Sequence, residues 1–312
     1  MAALALPYTE MLLTATPAYT ALRETAAWID QSSRGKIRMT GEDRARLLHA
    51  MSTNNIQALT PGQGCYALFL NAQGRILADA NVLCFEDHLL LDTAPDLLTK
   101  IHEHLDRYII ADDVTLENAT PQLDSVALEG PSAAAVLTRL GAPVPQEPWS
   151  HVAWGAGTVQ RTPQGFNLIF PKRQTPDLGV PEANEEEART VRIEQGRAVY
   201  GEEITERNLV QEAGLMHAIS FTKGCYLGQE IVERVRSRGQ VHKQLSALEL
   251  DTDDPPAPGT KLTAAGAEAG EIASAAYSPA RGKTVALAYL RNPLPEGELL
   301  AGTVSAQPPG VA

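Results

Sequence analysis

Lys223-Gly224-Cys225-Tyr226-Leu227-Gly228-Gln229-Glu230 is the most specific stretch of this 312-residue chain, and Val232, Arg234 and Arg236 come just after it. Two glycines four apart let the backbone turn sharply or approach a ligand closely. The stretch reads as a glycine-flanked turn feeding a helix over residues 223–239. A thiol near a helix N-terminus, with Lys223 beside it, is biased towards thiolate. Gln229 and Glu230 carry the amide and carboxylate groups that pair with the donor and acceptor edge of a heterocycle. The plainer reading makes Cys225 a small packing residue and the glycines a helix entry.

Working outward, Val191-Arg192-Ile193-Glu194-Gln195-Gly196 precedes Tyr200-Gly201-Glu202-Glu203-Ile204. An acid at the end of a helix opposes the helix dipole, so Glu194 needs compensation. Arg192, Arg197 or a ligand's donor edge can supply it, unless Glu194 simply ends a solvated helix. Farther upstream lies Gly74-Arg75-Ile76-Leu77-Ala78-Asp79-Ala80-Asn81. Asp79 falls in an apolar strand. Facing inward it requires a partner and can act as acid, base or ligand anchor. Facing outward it is only a strand-surface charge.

Bulk properties narrow the classes. The 26 basic and 38 acidic residues give a net charge of −12, which argues against a nucleic-acid or anionic-membrane surface. Cys65, Cys84 and Cys225 are too few and too widely spaced for a disulfide framework. No Cys-x-x-Cys occurs and the seven histidines are scattered, so no metal site is expected. The apolar N-terminal residues 1–13 lack a basic lead-in and are interrupted by Pro7 and Glu10, so they read as neither signal peptide nor membrane span. A reducing cytoplasm fits this cysteine usage.

The pattern predicts a helix over residues 19–30 and a short strand over 35–41. A helix begins at residue 41, with Leu47, Leu48 and Met51 inward. The clearest signal is a hairpin, residues 66–70 and 76–83 around Asn71-Ala72-Gln73-Gly74. Further strands at 89–92, 114–116, 125–128 and 152–170 alternate with helices opened by Pro95 and Pro131 and with one over 182–195. Short strands at 245–250, 270–277 and 284–290, parted by Pro- and Gly-rich turns, suggest a small barrel or sandwich beyond residue 240. The clustering of strands and helices favours an α+β class.

The motif at 223–230 resembles the signature of the folate-binding YgfZ family, relatives of the glycine cleavage T protein. Gly35–Arg44, Gly74–Asp79, Gly130-Pro131 and Arg192–Gly201 fall in family-like order. The resemblance implies two interleaved α+β subdomains, parted near residues 120–150, within a region spanning 1–240. A β-barrel over 241–312 completes a central pocket. It further implies binding of tetrahydrofolate or a one-carbon derivative, and a role with iron–sulfur client or assembly proteins. Cys225 becomes the functional thiol and Glu194 the acid that meets the pterin edge, with Lys223, Tyr226, Gln229 and Arg234 as further binding residues. Aminomethyltransferases carry two consecutive acids where this chain has Ala78-Asp79, and typically lack the cysteine signature. Both departures favour an accessory protein over a transferase, though Asp79 keeps one-carbon transfer open as an alternative. A scaffold without small-molecule chemistry is the third reading.

Overall fold

The computed structural model describes residues 14–239 and 241–309. Helix α1 (Pro17–Glu24) leads into β1 (Ala27–Asp30) and β2 (Gly35–Thr40), and α2 (Arg44–Met51) into the hairpin β3 (Gly64–Leu70) and β4 (Ile76–Cys84). Next come β5 (Leu89–Thr93), α3 (Leu98–Asp106), β6 (Thr115–Asn118), β7 (Leu123–Glu129) and α4 (Ala133–Arg139). Strands β8 (His151–Trp154), β9 (Gly157–Thr162) and β10 (Gly165–Pro171) precede α5 (Glu185–Glu194) and α6 (Gln229–Arg238). The last six strands are β11 (Lys243–Leu250), β12 (Lys261–Ala264), β13 (Ala267–Ser278), β14 (Lys283–Arg291), β15 (Leu299–Ala301) and β16 (Val304–Gln307).

These make two five-stranded antiparallel sheets and a closed barrel. The first sheet runs β3-β4-β5-β2-β6, the second β1-β7-β10-β9-β8, and the barrel β11-β14-β13-β12-β15-β16. Strand β1 crosses over to pair with β7, Trp28 opposite Leu128, so the start of the chain belongs to the second sheet. The fold is therefore α+β with a C-terminal barrel, as the strand clustering suggests. Only β11, β13 and β14 of the barrel are clear in the sequence. The other three strands have three or four residues each, too short for a period to show.

The helix expected over residues 19–30 ends at Glu24. Thr16 caps its start by accepting from the Tyr19 N–H at 3.1 Å, with Pro17 in the first turn. Trp28 and Ile29, both strand formers, then pair with β7 instead of continuing the helix. Helix α5 begins with a capping box between Asn184 and Glu187, worth about 1 kcal/mol.

Each sheet buries its outer face under helices. Ala78, Ala80 and Val82 of β4 pack with Leu47, Leu48 and Ile101 of α2 and α3. Phe166, Leu168 and Phe170 of β10 pack with Val136 and Leu137 of α4. The inner faces meet where Leu83 and Leu90 touch Ile169. Ile193 of α5 packs on Ala276, Val285 and Leu287 and joins the barrel to this pair of sheets.

Candidate functional site: a cavity between the two sheets and the barrel

Strand alternation sets the site. While Ala78 and Ala80 point into the core, Asp79 and Asn81 point the other way, into a cavity of about 530 Å³. Tyr66 of β3 lines the same wall and donates its hydroxyl to Asp79 Oδ2 at 2.6 Å. Behind them Asp92, 1% exposed, holds Lys36 Nζ at 2.8 Å and Arg34 Nε at 3.0 Å, and Asn81 Nδ2 donates to it at 3.3 Å. Arg34 also reaches the cavity wall.

The two acids titrate in opposite directions. Burial pushes the Asp79 carboxyl up, and neither the Tyr66 hydrogen bond nor the Arg34 charge fully offsets it. Burial acts on Asp92 as well, but Arg34 and Lys36 outweigh it and hold this carboxyl at about 2. Burial, then the neighbouring Asp79, raises the Tyr66 phenol, which stays a hydrogen-bond donor. The wall thus carries an acid whose pKa is raised, backed by a buried carboxylate that neutralises two cations.

Aromatic rings border this wall. Tyr66 stacks with Trp149 at 5.9 Å between centroids and with His217 at 5.7 Å, both interplanar angles being 18°. All three line the cavity. Trp149 sits at φ 64°, a left-handed conformation costly for a side chain of its size. Burial lowers the His217 pKa and favours the neutral ring.

Opposite, the second sheet presents Asn167 and Glu129. Asn167 is 3% exposed and its Oδ1 has no hydrogen-bond partner. Gln160 lies directly across from it on β9, fully buried, with both amide atoms also unpartnered. Native interiors rarely leave amides unsatisfied, so Asn167 Oδ1, on the cavity wall, has unused capacity for a ligand's polar edge. Glu129 pairs with Arg197 at 2.9 Å, and Arg197 Nε has no partner. The volume is typical of a small-molecule site. The lining offers aromatic faces and an unpartnered amide acceptor to a small polar molecule.

The residues expected from sequence divide sharply. Asp79 faces the cavity. Glu194 does not line it: Tyr19 and Ser278 donate their hydroxyls to its carboxylate, which lies 3.5 Å from Arg23 Nε and is 4% exposed. That is the compensation a helix-ending acid requires, supplied by α1 and the barrel rather than by Arg192 or Arg197. Arg192 instead holds Glu202 and Glu203.

The 223–230 motif also lies off the cavity wall. Lys223 Nζ donates to the carbonyls of His49 and Ser52 at the end of α2 and stands 4.9 Å over the Tyr226 ring. Burial lowers its pKa to about 8. Tyr226 is buried against Leu68, Leu70 and Val232, with its hydroxyl unpartnered. Gln229 accepts from the Tyr226 N–H at 3.4 Å, and Arg234 is exposed. Cys225 is exposed and free, whereas Cys65 and Cys84 are buried in strands rather than half-buried. Burial raises the Cys65 thiol to about 12.

Among the described residues, no three His, Cys, Asp or Glu side chains gather as a metal site, and no helix is long and apolar enough to cross a membrane. Nothing in the sequence singles out Tyr66, Trp149, Asn167 or His217. The nearest signal is at Tyr66, whose place in the hairpin opposite Asn81 is fixed once the register is known.

Comparisons with known proteins bear on the whole chain. Residues 8–164 match the GCVT N-terminal domain, and residues 243–307 match the glycine cleavage T-protein C-terminal barrel domain. A chloroplastic protein of Arabidopsis thaliana, named provisionally a transferase, is 28% identical over 307 residues, covering 90% of this chain and 70% of that one. An aminomethyltransferase of Rubrobacter xylanophilus is 28% identical over 290 residues, covering 86% and 77%. The crystal structure of the glycine cleavage system aminomethyltransferase T from Bartonella henselae superposes with a TM-score of 0.79 at 20% identity, over 93% of this chain and 86% of that one. With both family domains matched in order and the fold shared, the chain belongs to the glycine cleavage T-protein family.

Proposed function

We propose that the cavity binds tetrahydrofolate or a one-carbon derivative, and that the protein serves the assembly or repair of iron–sulfur proteins in a reducing cytoplasm. The observation that carries the binding reading is the cavity's paired walls: Asp79 with its aromatic border on one side, the unpartnered Asn167 amide on the other. Asn167 Oδ1 accepts from the ligand's N–H groups. Tyr66 and Trp149 cover the ring and exclude water. Asp79, its pKa raised by burial, faces the cavity as the acid or base toward the ligand. When bound, a reduced folate would supply N5 of its pterin ring and N10 of its aminobenzoyl group to carry a one-carbon unit. The accessory role rests on the likeness of the 223–230 motif to the YgfZ signature. The exposed Cys225 suits action on a partner rather than on a ligand enclosed in the cavity.

Thermal unfolding under anaerobic conditions tests the binding reading. A hundredfold excess of tetrahydrofolate over its Kd stabilises the native state by about 2.7 kcal/mol. That raises Tm by a few degrees for a chain of this size. Asn167→Ala should shrink the shift, and Glu194→Ala, off the cavity wall, should keep it. No shift at saturating ligand removes the reading.

The placement of Asp79 favours a second reading, transfer of a one-carbon unit. It predicts methylenetetrahydrofolate formation from an aminomethyl donor carrier, with Asp79→Asn slowing turnover by about 10²–10⁴, the range of acid–base catalysis. Tight folate binding without turnover on any such donor would exclude it.

A further inference from the structure

Away from the central cavity, a smaller one of about 190 Å³ lies between α3 and the β3–β4 hairpin. Phe69 and Ala78 stand opposite each other in the hairpin register, and both belong to the core that Ile101 of α3 closes. Ala78 contributes only a methyl group there, and the space beside it stays open. Well-packed interiors leave few voids of this size, so the polar groups around it carry information.

Lys100, His104 and Arg107, four and then three residues apart, share the face of α3 that borders the cavity. Two rings pin His104, which stands edge-on to Phe69 at 6.1 Å and to Tyr108 at 5.5 Å between centroids. Its Nε2 is buried and has no hydrogen-bond partner. Burial, then the charges of Arg107 and Lys100, lowers its pKa and favours the neutral ring. Lys100 is shared between Glu206 and the Tyr200 hydroxyl. Arg107 has no ion pair, side-chain hydrogen bond or ring contact among the described residues. Cations near a helix C-terminus answer its dipole, but that explains neither the cavity nor the unpartnered imidazole nitrogen.

A neutral imidazole with its proton on Nε2 donates to an anion's oxygen, and a guanidinium pairs with a carboxylate through two parallel bonds. The rest of the lining is Phe69, Leu77, Ala78 and Ile101, an apolar surface for a hydrocarbon body. Lys100 and Arg107 face the Glu103 carboxylate on the same lining, and Glu206 already holds Lys100. That balance leaves room for one negative charge, which suits a carboxylate better than a phosphate dianion. We propose that this cavity is a second binding site, for a small carboxylate that carries an aromatic or branched aliphatic group. The carboxylate takes the His104 Nε2 proton donor and the Arg107 guanidinium, and its hydrocarbon body lies against Phe69, Leu77 and Ile101. The assignment does not depend on what the central cavity holds.

Benzoate titrated into the full chain tests this, followed by nitrogen–proton correlation spectra of the histidine rings, with His104→Gln to assign the signal. The His104 ring signals should move saturably, with a Kd of roughly 1 mM for so small a ligand. Those of His217, in the central cavity, should stay in place. Benzamide, a neutral molecule of nearly the same shape, should bind about tenfold more weakly, as the loss of a charge-assisted hydrogen bond implies. Arg107→Gln should weaken benzoate by about the same tenfold. No movement at His104, or movement at His217 alone, overturns the proposal. So does a benzoate Kd that neither the Arg107 substitution nor the exchange for benzamide changes. If the Arg107 variant does not fold, the benzoate-to-benzamide ratio of the wild type decides.

Discussion

The central cavity and the 223–230 motif differ in almost every physical respect. The cavity is assembled from strands of two sheets, from the barrel and from the segment 192–217. The motif is one continuous turn, fixed to the end of α2 by Lys223 and to the β3–β4 hairpin by Gly228. The cavity gathers an acid of raised pKa, aromatic rings and an unpartnered amide. The motif presents an exposed thiol beside a cation already committed to carbonyls. A contiguous signature is easy to see in sequence, but visibility does not place it on the cavity wall. Three sets of substitutions can break or sharpen this contrast.

The largest effect belongs to the ion-pair layer behind the cavity wall. Asp92→Asn would leave Lys36, with 2% of its side chain exposed, without its counter-charge. Removing one partner of a buried ion pair costs about 3–5 kcal/mol, measurable by urea unfolding. The acid limb should change too. Asp92 is held at about 2 when folded, against about 3.9 unfolded. Its contribution is therefore complete above pH about 4 and disappears as pH falls towards 2. The variant should lose this part of the pH dependence, and equal stability of the two proteins at neutral pH would show that Arg34 and Lys36 do not need the acid.

How much of this is legible in the sequence is a matter of residue spacing. The hairpin is, because apolar runs flank Asn71–Gly74 and its turn residues are unambiguous. The position of Asp79 in an apolar strand is visible, but not the wall it faces, which depends on pairing with β3 and β5. Glu194 reads correctly as an acid needing a partner. Its partners, Tyr19, Arg23 and Ser278, lie too far away in sequence for local reasoning to supply. Asn167 and Gln160 look like ordinary polar positions of an amphipathic strand. Their lack of partners is a property of the packed interior alone.

Within the motif, the two glycines should behave unequally. Gly228 has φ 85°, and a Cβ there would stand 2.6 Å from the Asn71 carbonyl oxygen. Gly228→Ala should cost about 1–3 kcal/mol from the backbone conformation alone. Around Gly224 a Cβ would find only His49 Nε2, at 3.8 Å, so Gly224→Ala should fold with little loss. Their urea midpoints give the comparison. A large loss at 228 alone makes that glycine a docking device for the hairpin, and equal effects would mean that the close approach to Asn71 does not matter.

Cys225→Ser should have the smallest effect on the isolated protein. The side chain is exposed, so the stability change should stay within about 0.5 kcal/mol. The tetrahydrofolate-induced rise in Tm should be unchanged, since Cys225 is not on the cavity wall. A weakened rise would show the thiol reaching the ligand and would dissolve the separation between the two regions. In a deletion strain the same variant should fail to restore iron–sulfur enzyme activity if the thiol acts on a partner. Full rescue with folate binding intact would confine any chemistry to the cavity, and Asp79 would then be the group to pursue.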